Sequence, residues 1–277
     1  MKLSSIRGCS PLGFHTMAFA EWGQGSDVPV LCIHGLARNG RDFDYLATAL
    51  QKNRHVLCPD IVGRGRSDFL ADPSHYNYAQ YIADLTALIA YSGAEQVDWV
   101  GTSMGGILGM MVAAMPNTPI RRLVINDVGP VIPLAALKRI ADYVGFVAEF
   151  ADRAQAERHL RQIYAPFGIT DEAVWQHYIE YGLRTLPNGK LALGHDPGIA
   201  ANFRNLTEDA SFWPIYDRIT CPVLLYRGVN SDVLSAETAA EMTRRGPMAK
   251  LVEWQNVGHA PALVDAAQID GIQAFLS

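Results

Sequence analysis

Along the first 126 residues, short apolar runs alternate with stretches of helical spacing. Phe14 to Trp22 and Val28 to His34 read as strands, the second ending in His34-Gly35. Arg41 to Lys52 follows, with Phe43, Leu46, Ala47 and Leu50 on one helical face. Arg54 to Pro59 is a short buried strand running into the turn Asp60-Ile-Val-Gly-Arg-Gly-Arg-Ser-Asp68. Tyr78 to Ser92 carries Ile82, Leu85, Leu88 and Ile89 on one stripe and predicts a longer helix. Val97 to Gly101, Ser103 to Met115 and Arg122 to Asn126 then give strand, apolar helix and strand. Short apolar strands separated by helices predict βαβ units around a parallel sheet covered on both faces.

The pattern changes near Gly129-Pro130. From Pro133 to about Phe212 the chain is helical, rich in aromatic residues and without buried-strand runs. Pro222 to Arg227 resumes the sheet, Ala249 to Trp254 adds a last strand, and Ile269 to Leu276 closes the chain as a helix. The expected organisation is an α/β core, 1–129 and 214–277, interrupted after the sixth strand by a helical cap, 130–213.

Composition narrows the classes. With 277 residues, 49% hydrophobic and 18% charged, the chain can bury one large α/β core. The formal net charge of −5, without a basic run longer than two residues, argues against nucleic acid and anionic membrane surfaces as partners. No apolar run approaches the roughly 18 residues of a membrane span. The amino-terminal residues lack the apolar region of a secretory signal, so a cytoplasmic location is expected. Cys9, Cys32, Cys58 and Cys221 form no CxxC pair and have no histidine at zinc-ligand spacing. Gly63-x-Gly65 lacks the third glycine of a dinucleotide turn. Neither a metal nor an organic cofactor is therefore expected.

The candidate chemistry lies in Gly101-Thr102-Ser103-Met104-Gly105, a G-x-S-x-G sequence between a predicted strand and a predicted helix. That turn must reverse so tightly that the flanking residues have no room for side chains, while the serine hydroxyl points outward. A serine hydroxyl needs a base. Of eight histidines, His259 follows the last strand, at the end where parallel sheets place their sites. His34 precedes the oxyanion loop and reads as a loop-ordering residue. The base needs an acid to orient it. Asp232, after the strand Pro222 to Arg227, is the first choice and gives the order Ser, Asp, His. Asp127, just past Asn126, is the alternative, with capping of the loop into the insertion as its other reading. Backbone N–H groups of Leu36 and Met104 are the expected oxyanion donors. Arg38 is the expected polar substrate contact. Tyr143, Phe146, Phe150, Trp175 and Tyr178 are the cap aromatics that would wall the pocket, against plain packing as the competing reading.

The segments HGLARNGRDF, DIVGRGRSD, GTSMGG, RGVNSD and NVGHAP resemble the α/β-hydrolase superfamily, in its capped esterase and lactonase-like branch, from about residue 14 to the C-terminus. The resemblance implies Ser103 as nucleophile, Asp232 as acid, His259 as base, and Leu36 with Met104 as oxyanion hole. It implies a structural loop at Asp60 to Ser67. Serine at 103 departs from the aspartate of epoxide hydrolases and haloalkane dehalogenases. Thr102 and Ala260 depart from the asparagine and tryptophan usual in carbon–carbon bond hydrolases. The HG-x loop, in place of HGGG, goes with smaller acyl substrates. The expected function is hydrolysis of a small-molecule carboxylic ester or lactone through an acyl-enzyme. A carbon–carbon hydrolase, an acyltransferase and a non-catalytic receptor are the alternatives, and the sequence does not fix the oligomeric state.

Overall fold

In the computed structural model, which describes residues 1–25, 28–147, 149–203 and 206–277, the chain opens with two long strands, β1 (Lys2–Ser10) and β2 (Gly13–Trp22). They pair antiparallel from Lys2↔Glu21 to Ser10↔Gly13. Then come β3 (Val30–Ile33), α1 (Asp44–Leu50), β4 (Val56–Pro59), α2 (Tyr78–Ser92), β5 (Val97–Thr102), α3 (Met104–Ala113) and β6 (Ile120–Asn126). The inserted stretch holds β7 (Val131–Ile132), α4 (Leu134–Val144), β8 (Glu149–Phe150), α5 (Arg153–Tyr164), α6 (Glu172–Gly182), β9 (Leu183–Thr185), β10 (Leu191–Leu193) and β11 (Ala210–Ser211). The chain ends with α7 (Trp213–Tyr216), β12 (Val223–Gly228), α8 (Ala236–Met242), β13 (Lys250–Trp254) and α9 (Ala266–Leu276).

Eight strands form one sheet in the order β1-β2-β4-β3-β5-β6-β12-β13. From β4 to β13 the neighbours run parallel. The central strands are buried along their whole length, which is why they read as continuous apolar runs. β1 escaped the sequence reading for the opposite reason. Its residues are mostly exposed and polar, and it is an edge strand whose strand partner is β2.

One apolar cluster, with Leu85, Leu88, Trp99, Leu108 and Leu123, fills the face under α2 and α3. The other face is closed by α1 and α9 over Val30, Cys32, Val100 and Val124. α2 matches its predicted span because both ends are marked in the sequence. The Asn77 side chain accepts from the Gln80 N–H at the start, and Gly93 takes the left-handed conformation at the end.

The inserted stretch has a core of its own, in which Phe150, Leu160, Tyr164, Trp175, Ile179 and Leu193 pack together. It is not purely helical. β8, β10 and β9 form a small antiparallel sheet, with strands of two or three residues that are too short to leave a periodic signal. Bonds to the core tie it down. Asn39 Nδ2 donates to the Tyr181 carbonyl at 2.7 Å, and the Gly258 N–H donates to the Pro166 carbonyl at 2.7 Å. The Tyr178 hydroxyl donates to the Ala262 carbonyl at 3.2 Å.

Candidate active site

The carboxyl ends of β3, β5, β6 and β12 meet beneath the insertion, and the loops leaving them build the site. Ser103 sits between β5 and α3 with φ 52° and ψ −115°, a strained conformation for a residue with a side chain. Glycine on either side is a steric requirement. A Cβ at Gly101 would run into the Gly105 carbonyl, and one at Gly105 into the Ile33 carbonyl.

His259, in the loop after β13, faces the serine, with Nε2 2.9 Å from Ser103 Oγ. On its other side, Nδ1 lies 2.8 Å from Asp127 Oδ2. Asp127 is fully buried. It also accepts from the Gly228 N–H at 2.7 Å and from the Ser231 hydroxyl at 2.6 Å. The carboxylate is therefore held by two donors besides the histidine, which fixes both its position and the imidazole's orientation.

This arrangement corrects the choice of acid. Asp232 does not reach His259. Its carboxylate turns outward and is forked by Arg139 of α4 at 2.5 and 2.9 Å, with both side chains nearly half exposed. The turn after β12 nevertheless serves the site. It delivers the Gly228 N–H and the Ser231 hydroxyl onto Asp127 instead of a carboxylate of its own.

Leu36 lies in the loop after β3, and Met104 is the first residue of α3. Neither backbone N–H has an acceptor among the described residues. The Met104 N–H also lies at the positive end of a helix. The loop carrying Leu36 is ordered by His34, which is wholly buried. His34 Nδ1 lies 2.7 Å from the Gly35 carbonyl, and Nε2 accepts the Ile61 N–H at 2.9 Å. Burial, with Arg64 and Arg38 nearby, pushes its pKa down to about 3, so the ring stays neutral.

A measurable pH effect follows. An unfolded histidine takes up a proton below about 6.5, and folded His34 refuses it down to about 3. The stability it contributes is complete above 6.5 and falls as the pH drops. His34→Gln removes that proton uptake. The stability gap between wild type and variant is expected to shrink by roughly 2 kcal/mol between pH 7.5 and pH 5. Urea midpoints at the two pH values check this, and a gap independent of pH contradicts it.

A cavity of about 60 Å³ opens onto Ser103 and His259. Its walls include Arg38, Asp42, Arg139, Tyr143, Tyr164 and Tyr178. Of the expected contacts, Arg38, Tyr143 and Tyr178 border it. Phe146, Phe150 and Trp175 do not. Phe150 and Trp175 belong to the insertion's own core, and Phe146 is 48% exposed and stacks on His159. Of the three only Trp175 lies on a helix, α6, and its face packs within the insertion, while Phe150 belongs to β8 and Phe146 follows the end of α4. Tyr164 and Phe167, which line the cavity, were not singled out as pocket residues. Leu36 and Met104 also border a second, apolar cavity of about 280 Å³, walled by residues such as Tyr81, Leu137 and Phe212.

The sheet order, the strained serine turn and the histidine loop define a protein of the α/β-hydrolase class, and the sequence model of the alpha/beta hydrolase fold family matches residues 28–266. The chain belongs to that family. It is 42% identical to a 3-hydroxybutyrate-oligomer hydrolase from Cupriavidus necator, over 97% of this chain and 95% of the relative. It is 28% identical to a 2-(acetamidomethylene)succinate hydrolase from Mesorhizobium japonicum, over 81% of this chain and 78% of that protein. Among solved structures it resembles an alpha/beta hydrolase from Novosphingobium aromaticivorans, with a TM-score of 0.88 and 38% identity over 99% and 98% of the two chains. No helix among the described residues is long and apolar enough to cross a membrane.

Proposed function

We propose that this hydrolase cleaves carboxylic esters of small hydroxy acids, with oligomers of 3-hydroxybutyrate as the substrate class. The observation that carries the chemistry is the continuous chain Ser103 Oγ, His259, Asp127, joined at 2.9 and 2.8 Å. The near full-length similarity to the Cupriavidus necator protein supports the substrate class.

In this reading Ser103 attacks the ester carbonyl while His259 Nε2 takes its proton. The Leu36 and Met104 N–H groups receive the developing oxyanion, and Asp127 stabilises the imidazolium. His259 then protonates the leaving alcohol. Water, deprotonated by the same imidazole, releases the acid and restores Ser103. The balance is one ester and one water giving one carboxylic acid and one alcohol.

The test is hydrolysis of linear 3-hydroxybutyrate dimer and trimer, followed by chromatography of the released monomer, beside p-nitrophenyl butyrate. Turnover of the oligomers with a kcat/KM in the ordinary enzymatic range, above about 10⁴ M⁻¹s⁻¹, is expected. Turnover of the nitrophenyl ester alone would remove the substrate class. Turnover of neither would remove the ester-hydrolase reading.

A further inference from the structure

We propose that Arg64 is the positioning residue of the oxyanion hole, holding Leu36 and Met104 in one arrangement and setting a buried positive charge beside them. This rests on the hydrolase reading above and adds to it the group that organises its backbone donors.

Arg64 belongs to the loop Asp60 to Ser67 after β4, which the mechanism has so far left unused. Its side chain has no exposed surface. Nε donates to the Leu36 carbonyl at 2.8 Å, and Nη2 lies 3.7 Å from Met104 Sδ. One side chain thus touches both residues whose N–H groups are the expected oxyanion donors. Bond geometry within a single residue puts Nε no more than about 7 Å from the Leu36 nitrogen. Nη1 donates to the Val62 carbonyl at 2.7 Å, and the rings of Tyr81 and Tyr76 stand 4.8 and 5.8 Å from the guanidinium carbon.

The backbone around Arg64 is fixed as well. The Gly65 N–H donates to the Gly194 carbonyl at 2.8 Å, and the Asp196 N–H donates to the Gly63 carbonyl at 2.8 Å. The insertion therefore clamps the loop at the two residues that flank Arg64.

The charge has no counterion. Its contacts are carbonyls, a sulfur and two rings, and no carboxylate pairs with it among the described residues. A buried cation without an anion is costly. Two buried histidines feel it. Burial lowers both, His34 to about 3 and His195 to about 4, and Arg64 adds to the lowering in each. The charge that develops on the substrate oxygen as Ser103 attacks has the opposite sign. A fixed cation nearby favours that state over the neutral ester, and it does so without rearranging. Arg64 does not border the cavity, so it acts through the residues it holds and not by binding substrate.

The experiment removes the charge and keeps most of the volume. In Arg64→Met, with active sites counted by fluorophosphonate labelling, kcat on p-nitrophenyl butyrate is expected to fall about 100-fold while KM stays within about threefold. Arg64→Lys keeps a charge but cannot span the Leu36 carbonyl and Met104 together, and should lose about tenfold. The second readout is the hemiketal that Ser103 forms with a butyl trifluoromethyl ketone, whose oxygen ionises in the oxyanion hole. Its pKa, followed by fluorine NMR, is expected to rise by about one unit in Arg64→Met and by less in Arg64→Lys. A purely structural Arg64 would lower the melting temperature and leave both the hemiketal pKa and the kcat per active site alone. An unchanged kcat in Arg64→Met, a loss carried by KM, or one hemiketal pKa in all three proteins overturns the proposal. Where the methionine variant does not fold, the lysine variant carries the same readouts, and an unchanged kcat and hemiketal pKa in it overturn the proposal equally. If esters are cleaved and the variants match wild type, the hydrolase reading stands and the role of Arg64 falls. If no ester is cleaved, both fall.

Discussion

Ser103→Ala is expected to lower kcat on any ester substrate by about 10⁶-fold, the scale on which removal of a serine nucleophile acts when nothing replaces it. The hydroxyl is in contact with His259 Nε2 and sits at the mouth of the cavity. Nothing else bordering the cavity is both nucleophilic and paired with a base. Alanine keeps the Cβ, so the strained turn is built as before, and the melting temperature should move by only a few degrees. The measurement is single-turnover and steady-state hydrolysis of p-nitrophenyl butyrate, with a fluorophosphonate label as a second readout. Residual activity above 1%, in a preparation free of wild type, would show that the serine is not the nucleophile.

Asp127→Asn is expected to cost about 10⁴-fold in kcat at neutral pH, while Asp232→Asn should stay within about threefold of wild type. The asparagine retains size and polarity but can no longer hold His259 as an anion does. Asp127 is sealed from solvent and receives three donors, so no water takes over its role. Asp232 is nearly half exposed and paired with Arg139, and losing such a surface pair is worth little. The two substitutions assayed side by side on one ester separate the assignments. The opposite ranking would return the acid to the turn after β12.

The serine turn and the histidine loop of the candidate site are legible in the sequence. The serine turn announces itself because steric exclusion at Gly101 and Gly105 leaves a fixed spacing in the sequence. His259 follows from its place after the last strand. The aspartate that meets His259 is not the one the spacing ranks first, because two aspartates each follow a strand in the same layer. Which one turns inward depends on a loop conformation, φ 56° at Asp127, that no spacing encodes. His34 was recognisable as a loop-ordering residue, and its two hydrogen bonds give that role its geometry. The cavity wall was read least well. Trp175 shares a helical face with Tyr178 on α6, and only the packing of α5 on α6 and the small sheet decides which of them meets the core domain. The sheet was clear in its buried strands and obscure at β1, where an exposed edge leaves the residues free to be polar.

The support of Asp127 is shared between two strands. Its carboxylate comes from the end of β6, but two of its three donors come from the end of β12. Ser231 Oγ therefore stands 2.6 Å from the oxygen that orients the imidazole. Two neighbouring strand ends thus converge on one point, and either could present a carboxylate there. A carboxylate carried at position 231 would enter the space next to the oxygen that Asp127 now holds against His259 Nδ1.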